Sequence, residues 1–404
     1  MSVLPRDWSM TKVKYLASYM NGYPFAPTDW EDGGKPIVRI QNLTDPEASW
    51  NTTTLDVPQC YTVEAGDILI SWSASLGVYV WEREPALLNQ HIFKAIPTKE
   101  VERRYFVWAA KWFVGELQSQ AHGSTMQHLT KDVFGGFAVP LPPKAEQTRI
   151  ANFLDEQTAR IDALIAEKER LSALLSISLE SFIESAVLPK AGVCLIPLKR
   201  VSERIITGPF GSALHSSDYI EQGVPVINPS HITGGTLCPD ANVSVSAETA
   251  EAMSAYRMTP GDVIVGRRGE MGRCAVVPQE GNGWLCGTGC LLVSPNPVKV
   301  MASYLQLVIS SRASKEWLSL ESVGSTMENL NGEIIGRLPG YFPHPREQRE
   351  RVVTVGRAMT QHEALIRHVS EHIACLREYR SSLISAAVTG QLDIENFRRE
   401  VVQT

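Results

Sequence analysis

The chain carries one long stretch twice, and no other feature limits its possible folds as much. Gly123-Ser124-Thr125-Met126 returns 201 residues later as Gly324-Ser325-Thr326-Met327. Pro142 and Glu146-Gln147 return as Pro343 and Glu347-Gln348, and the stretch closes at Ser185-Ala186-Val187 and Ala386-Ala387-Val388. The offset of 201 holds from 123 to 187 without a gap. A period this long is no solenoid unit. It describes two copies of one module, each a globular part followed by a helix.

The globular parts repeat less strictly. Gly66-Asp67-Ile68-Leu69-Ile70, closed by Gly77, matches Gly261-Asp262-Val263-Ile264-Val265, closed by Gly272, at an offset of 195. Pro36-Ile37-Val38-Arg39-Ile40 matches Pro225-Val226-Ile227-Asn228-Pro229 at 189. A drifting offset means a shared framework with loops that differ. The landmarks divide the chain into a globular domain over 1–143, a helical region over 144–190, a second globular domain over 191–343 and a C-terminal helical region over 344–404.

Strands and helices mix in each globular part without strict βαβ alternation, which is an α+β pattern. Residues 8–20 fit a strand or a short helix equally. Pro36 to Leu43, Asp67 to Ser71 and Gly77 to Val80 read as strands, and Tyr105 to Gln120 as an amphipathic helix. In the second copy the strands fall at Val224–Ile227, Val263–Val265, Ala275–Val277 and Cys290–Val293, and the helix at Met301–Leu320.

From Pro143 the pattern becomes one long helix, with Glu146 placed at its positive end. A heptad reading puts Ile150, Leu154, Ile161, Leu164, Leu171, Leu175 and Phe182 on a seam; the second copy gives Val355, Leu365, Val369, Leu376 and Leu383. Neither helix is polar all round, so each needs an apolar partner. Two readings are open: each helix covers its own domain, or the two pair as an antiparallel coil about 60 Å long. The seam favours the pair.

Composition narrows the class. The 404 residues are 44% hydrophobic, enough for proper cores. Seven scattered cysteines, no apolar N-terminal run and no apolar stretch of membrane-spanning length point to a reduced, cytoplasmic protein. Cys274, Cys286 and Cys290 lack zinc-finger partner pairs and read as buried thiols. The net charge of −6 argues against a generally basic nucleic-acid binder. Residues 1–143 carry 12 basic and 15 acidic groups, and residues 191–343 carry 11 and 13, so any positive surface is local or supplied by partners.

Catalytic motifs are missing. There is no phosphate-binding glycine-rich loop followed by lysine, no dinucleotide fingerprint and no acidic residue two positions before any lysine. Asn228-Pro229-Ser230 is similar to the Asn-Pro-Pro-aromatic signature of amino methyltransferases, but lacks the second proline and the aromatic, and reads as a turn. Neither a metal nor a cofactor site is legible.

What remains is a recognition pattern. Arg39, Gln41 and Asn42 follow one strand, and Asn228, Ser230 and His231 follow its counterpart. The Gly-Asp strands lead into Ser71, Trp72, Ser73 and Ser75 in one copy and Arg267 and Arg268 in the other. Arginine can grip guanine, and asparagine or glutamine adenine, with two hydrogen bonds each. Singly these are ordinary loop residues. As equivalent, differing positions in a duplicated frame they point to recognition. Gly123, Ser124, Thr125, Gly324, Ser325 and Thr326 complete the candidate DNA-binding set.

This organisation resembles the specificity subunit of type I restriction–modification systems over essentially the whole chain. The carrying motifs are Gly-Ser-Thr, proline with Glu-Gln at helix entry, and Gly-Asp before a strand, each present twice and in the same order. The resemblance implies two target recognition domains joined by helices paired as an antiparallel coiled coil, a pseudo-twofold shape reading a bipartite double-stranded DNA site. It implies two methyltransferase subunits that hold S-adenosylmethionine and methylate adenine, and a motor-nuclease subunit. Glu146, Gln147, Ile161, Leu164, Leu171, Leu175, Glu347, Gln348, Leu365, Val369 and Leu376 are the residues expected in the coil and its partner contacts. The expected role is non-catalytic; the rival readings are a stand-alone methyltransferase or nuclease, and a protein-only adaptor.

Overall fold

The computed structural model describes residues 4–45, 47–73, 75–121, 131–189, 192–209, 214–322 and 330–397. It divides into two compact units: Met1–Glu169 with Glu371–Thr404, and Arg170–Ser370. Each unit takes one globular part and a share of both long helices.

The first globular part holds β1 (Ser9–Lys12), β2 (Ala17–Asn21), β3 (Lys35–Val38), β4 (Asn51–Thr53), β5 (Thr62–Val63), β6 (Ile68–Ser71), β7 (Gly77–Val80), β8 (Ala86–Leu88), β9 (Ile92–Pro97) and β10 (Ala138–Leu141). Its helices are α1 (Val13–Leu16), α2 (Ile40–Thr44), α3 (Arg103–Ala121) and α4 (Lys131–Gly136), followed by the long α5 (Lys144–Val187). One sheet runs β2-β9-β6-β7, all antiparallel. The other runs β4-β3-β8-β5, with β3 and β8 parallel. β1 and β10 pair as a ribbon.

The second globular part repeats this plan. It holds β11 (Ile196–Pro197), β12 (Ser202–Thr207), β13 (Val224–Ile227), β14 (Ile232–Thr233), β15 (Thr236–Leu237), β16 (Ser244–Val245), β17 (Val263–Gly266), β18 (Cys274–Val276), β19 (Leu285–Cys286), β20 (Cys290–Pro295) and β21 (Pro339–Gly340). The helices are α6 (Ala247–Ala252), α7 (Ala302–Ser310), α8 (Arg312–Ser322), α9 (Gly332–Arg337) and the long α10 (Pro345–Val388). The sheet β12-β20-β17-β18 matches β2-β9-β6-β7 strand for strand, and β16-β13-β19 matches β4-β3-β8, with β13 and β19 the parallel pair. At the place of β5 the second part has the isolated bridge Arg257–Leu285. The hairpin β14–β15 belongs to this copy alone among the described residues.

The Gly-Asp motif builds the same turn twice. Gly66 and Gly261 sit at φ 95° and 91°, where a side chain would be strained. The next carboxylate closes the turn: Asp67 Oδ2 accepts the N–H of Glu64 at 2.9 Å, and Asp262 Oδ2 that of Thr259 at 2.8 Å. The strands that follow, Ile68–Ser71 and Val263–Gly266, are buried along their whole length, which explains their unbroken apolar runs.

Two expected elements differ. The strand read over Pro36–Leu43 ends at Val38, because Asn42 Oδ1 accepts the N–H of Arg39 at 3.1 Å and turns the chain into α2. The helix read over Met301–Leu320 breaks at Ser311 into α7 and α8. Ser311 Oγ accepts the N–H of Ser314 at 3.3 Å, and Glu184 Oε2 accepts that of Arg312 at 2.9 Å, so α8 has its own capped start. Strands β9 and β12 were not read from the sequence. Their residues carry no flanking Gly-Asp signal.

The long helices span 44 residues each, about 66 Å at a rise of roughly 1.5 Å per residue. In the first unit they run antiparallel: Asp162 of α5 takes both Nε (2.8 Å) and Nη2 (3.1 Å) of Arg380, and Glu169 takes Nη2 of Arg377 at 2.8 Å. Ile150, Leu154 and Ile161 pack there with Leu383, Ile384, Ala387 and Val388. In the second unit Arg351 Nη1 donates to Ala186 O in the last turn of α5 (2.6 Å) and to Leu188 O just past it (3.3 Å), while Glu347 holds its Nη2 at 2.8 Å. Arg351 of α10 therefore caps the carboxyl end of α5.

The seam itself is partly corrected. Ile161 and Val369 are buried, and Leu175 and Leu376 are half-buried. Leu164, Leu171 and Leu365 are 47%, 44% and 50% exposed. The turned-in positions of α5 run Ile161, Ile165, Lys168, Ser172, Leu175, Leu179, Ile183, in steps of four and three. Leu164 and Leu171 stand one residue, roughly 100°, off that line. Gln147 and Gln348 are also corrected: both are buried, facing their own domain.

Candidate nucleic-acid interface

The candidate interface lies at the carboxyl ends of the parallel strand pair in each domain, the place where open sheets leave a crevice. Four backbone hydrogen bonds define it, and all four occur twice. In the first domain Asn89 N–H donates to Val38 O (3.1 Å), Ile92 N–H to Asn89 O (3.1 Å), Gly22 N–H to Ile92 O (3.1 Å) and Trp72 N–H to His91 O (3.4 Å). In the second, Gly287 donates to Ile227 O (2.9 Å), Cys290 to Gly287 O (3.1 Å), Gly208 to Cys290 O (2.9 Å) and Arg267 to Gly289 O (2.8 Å). Three loops thus meet: the one after β3 or β13, the one after β6 or β17, and the turn after β8 or β19. Gly22 and Gly208 are required by the crossing. A Cβ on Gly22 would lie 2.2 Å from Leu88 O, and one on Gly208 1.9 Å from Gly287 O.

Positions 39 and 228 are equivalent and carry different side chains. Arg39 is half-buried; its guanidinium stacks 4.9 Å over Trp30, and Nη1 donates to Asn51 Oδ1 at 2.8 Å. Stacking and one hydrogen bond hold the fork in a fixed orientation, at little further entropy cost on binding. Asn228 is half-buried beside Tyr219 OH, 3.4 Å from its Nδ2. Gln41, Ser75, Ser230 and Arg268 are exposed, and Trp72 is half-buried. Ser230 also lines a cleft of about 930 Å³ together with Glu180, Glu270, Arg312 and Lys315, whose mixed charge does not suit a phosphate backbone.

Five expected contact residues serve the loops instead. Asn42 is buried, accepting from Arg39 N and donating to Ser49 O at 3.1 Å. His231 is its counterpart: buried, with Nδ1 accepting the N–H of Asn228 at 3.3 Å. Ser71 is buried and donates to Ser75 O at 2.6 Å, and Ser73 is buried as well. Arg267 is 7% exposed; its Nε donates to Leu330 O at 2.7 Å and its Nη1 to Thr288 O at 3.2 Å. Burial, then the neighbouring Arg268 charge, lowers its pKa from the usual arginine value. Polar residues after a strand look alike in a sequence, whether they face solvent or cap the next turn. Gly123, Ser124, Thr125, Gly324, Ser325 and Thr326 lie outside the described residues.

The sequence reading missed the third loop. Asn89, Gln90 and His91 in one copy, and Thr288 in the other, stand beside the expected loops. Their shared backbone bonds fall at an offset of 198, and none of residues 89–92 is identical to its counterpart at 287–290.

Among the described residues no group of three or more His, Cys, Asp or Glu could hold a metal ion, and no helix is long and apolar enough to cross a membrane. Cys274, Cys286 and Cys290 are buried thiols.

Comparison with known proteins agrees with this geometry. Residues 5–172 and 211–364 match the type I restriction modification DNA specificity domain. The chain is 22% identical to the type I restriction enzyme EcoBI specificity subunit of Escherichia coli, over 96% of this chain and 86% of that protein. It is 20% identical to the EcoKI specificity subunit of Escherichia coli K12, over 96% and 90%. Its fold matches a solved chain from the complex assembly of a type I restriction–modification system at a TM-score of 0.74 and 15% identity, covering 97% of this chain and 100% of that one. It matches the HsdS subunit from Thermoanaerobacter tengcongensis at a TM-score of 0.54 and 17% identity, covering 96% and 98%. With both copies of the module matched, the chain belongs to the type I restriction–modification DNA specificity family and is a specificity subunit, the non-catalytic component through which such a system recognises DNA sequence.

Proposed function

We propose that each globular domain reads one half of an asymmetric, bipartite double-stranded DNA site, and that the long helices carry methyltransferase subunits. The observation that supports this is the frame of three loops, built twice by the same hydrogen bonds and furnished with different side chains, Arg39 at the position where the second copy has Asn228. Equal frames with unequal contents read two different half-sites. The apolar residues Leu171, Leu174, Ile177 and Phe182 of α5 in the second unit are 44%, 53%, 60% and 38% exposed, and this exposure supports helix docking. S-adenosylmethionine is bound by the methyltransferase subunits, a motor-nuclease subunit completes the restriction complex, and the assembly works in the cytoplasm, where seven unpaired cysteines stay reduced.

The deciding experiment maps methylated adenines in DNA from cells carrying the complex, before and after residues 191–343 are replaced by the corresponding domain of a relative. Change confined to one half of the motif is the expected result. Change in both halves, or in neither, refutes the assignment of one domain to one half-site.

A further inference from the structure

The turn after β8 and its counterpart after β19 share a backbone but not an exterior. In the second domain the turn is packed under Asn228-Pro229. A Cβ on Gly287 would lie 2.3 Å from Asn228 Oδ1 and 2.7 Å from Ile227 O, and one on Gly289 would lie 2.7 Å from Pro229 Cδ. Only Thr288 carries a side chain there. In the first domain the same positions hold Asn89, Gln90 and His91. Asn89 Oδ1 lies 3.4 Å from the His91 N–H that it accepts, and Gln90 N–H donates to Tyr23 O at 3.0 Å. The turn is therefore held by its backbone and by Asn89. None of these bonds uses the side chain of Gln90 or His91. Gln90 is half-buried and His91 exposed, their side-chain nitrogens lie 3.5 Å apart, and the His91 ring stands 5.6 Å from Trp72.

We propose that Gln90 and His91 are base-reading residues of the first domain, and that the second domain has no counterpart to them at this turn. A carboxamide offers one donor and one acceptor side by side, the pattern that matches N7 and the N6 amino group of adenine in the major groove. An imidazole next to it offers a single donor or acceptor to the neighbouring base pair. Arg39 and Trp72 flank the same crevice, so the two residues extend one reading surface. The inference rests on the proposal that each domain serves one half-site.

The test uses the complete methyltransferase complex on a DNA library randomised over both half-sites. The double variant Gln90→Ala/His91→Ala should assemble and melt like the parent. Its discrimination should fall at least 10-fold at one or two adjacent positions of one half-site, with the other half-site unchanged. Gln90→Glu, of nearly the same shape, should shift preference at one of those positions toward cytosine, whose amino group suits an acceptor. Unchanged preferences, or an equal loss for every sequence, would overturn the inference and leave the wider proposal standing. Arg268→Ala in the same library separates the two. If it relaxes the same half-site as Gln90→Ala/His91→Ala, the assignment of one domain to one half-site fails, and this inference with it.

Discussion

Gln147 Oε1 accepts the backbone N–H of Glu102 at 2.7 Å, joining the first turn of α5 to the start of α3, 45 residues away. Its Nε2 donates to Pro142 O (2.8 Å) and Glu100 O (3.2 Å). Gln348 does the same in the second copy, accepting from Met301 N (2.8 Å) and donating to Pro343 O (2.7 Å) and Lys299 O (2.8 Å). A buried amide with both ends in use fixes the angle at which each helix leaves its domain. Gln147→Ala should cost the first unit about 2–4 kcal/mol, because backbone groups are left buried without partners. Urea unfolding followed by fluorescence would measure it; a change below about 0.5 kcal/mol would remove Gln147 from this role.

Arg267 and Arg268 are neighbours with opposite duties. Arg267 ties the loop after β17 to Leu330 and Thr288, whereas Arg268 is exposed. Arg267→Ala should lower stability by about 2–3 kcal/mol through unsatisfied carbonyls. Arg268→Ala should leave stability within about 0.5 kcal/mol and relax the half-site of the second domain instead. Melting curves and library methylation on both variants check this. Equal stability of the two would contradict the buried geometry.

The exposure pattern along α5 predicts a separation of folding from assembly. Ile161→Asp puts a charge into the first unit's core and should unfold that region, at about 3–5 kcal/mol. Leu171→Asp alters a side chain that is 44% exposed and should leave the chain folded. If the exposed apolar face docks a methyltransferase subunit, Leu171→Asp should abolish co-purification with it. A folded Leu171→Asp protein that still co-purifies fully would move the docking surface elsewhere.

The cysteines divide by burial. Cys60, Cys194, Cys238 and Cys375 are exposed, and Cys274, Cys286 and Cys290 are buried. Burial pushes the Cys274 and Cys286 thiols up to about 12, and Cys290 upward as well. Native protein should react with a maleimide at four sites, and at seven after denaturation. The pH dependence follows from the sign of these shifts. An unfolded thiol ionises near about 8.5, so the stabilisation from keeping these thiols neutral is complete below that pH. It is lost as pH rises from there toward the folded values. Fast labelling of more than four thiols in folded protein would contradict the packing of β18, β19 and β20.

How much was legible follows from where the information sits. The duplication, the long helices, the Gly-Asp turns and the absence of catalytic motifs depend on local spacing and residue type, so the sequence alone determined them. Gly66 and Gly261 announce themselves because few other residues accept their φ. The remainder depends on which way a side chain faces after the chain has closed on itself. Asn42 and Gln41 are adjacent polar residues, yet one caps a turn and the other meets solvent. Leu164 and Ile165 are adjacent apolar residues, yet a step of roughly 100° turns only the second inward. The grouping of Arg39, Trp72 and His91 needs the ends of β3 and β8 in one sheet to meet the end of β6 in the other, and only tertiary packing brings the two sheets together, since the backbone hydrogen bonds that join the loops are blind to side-chain identity.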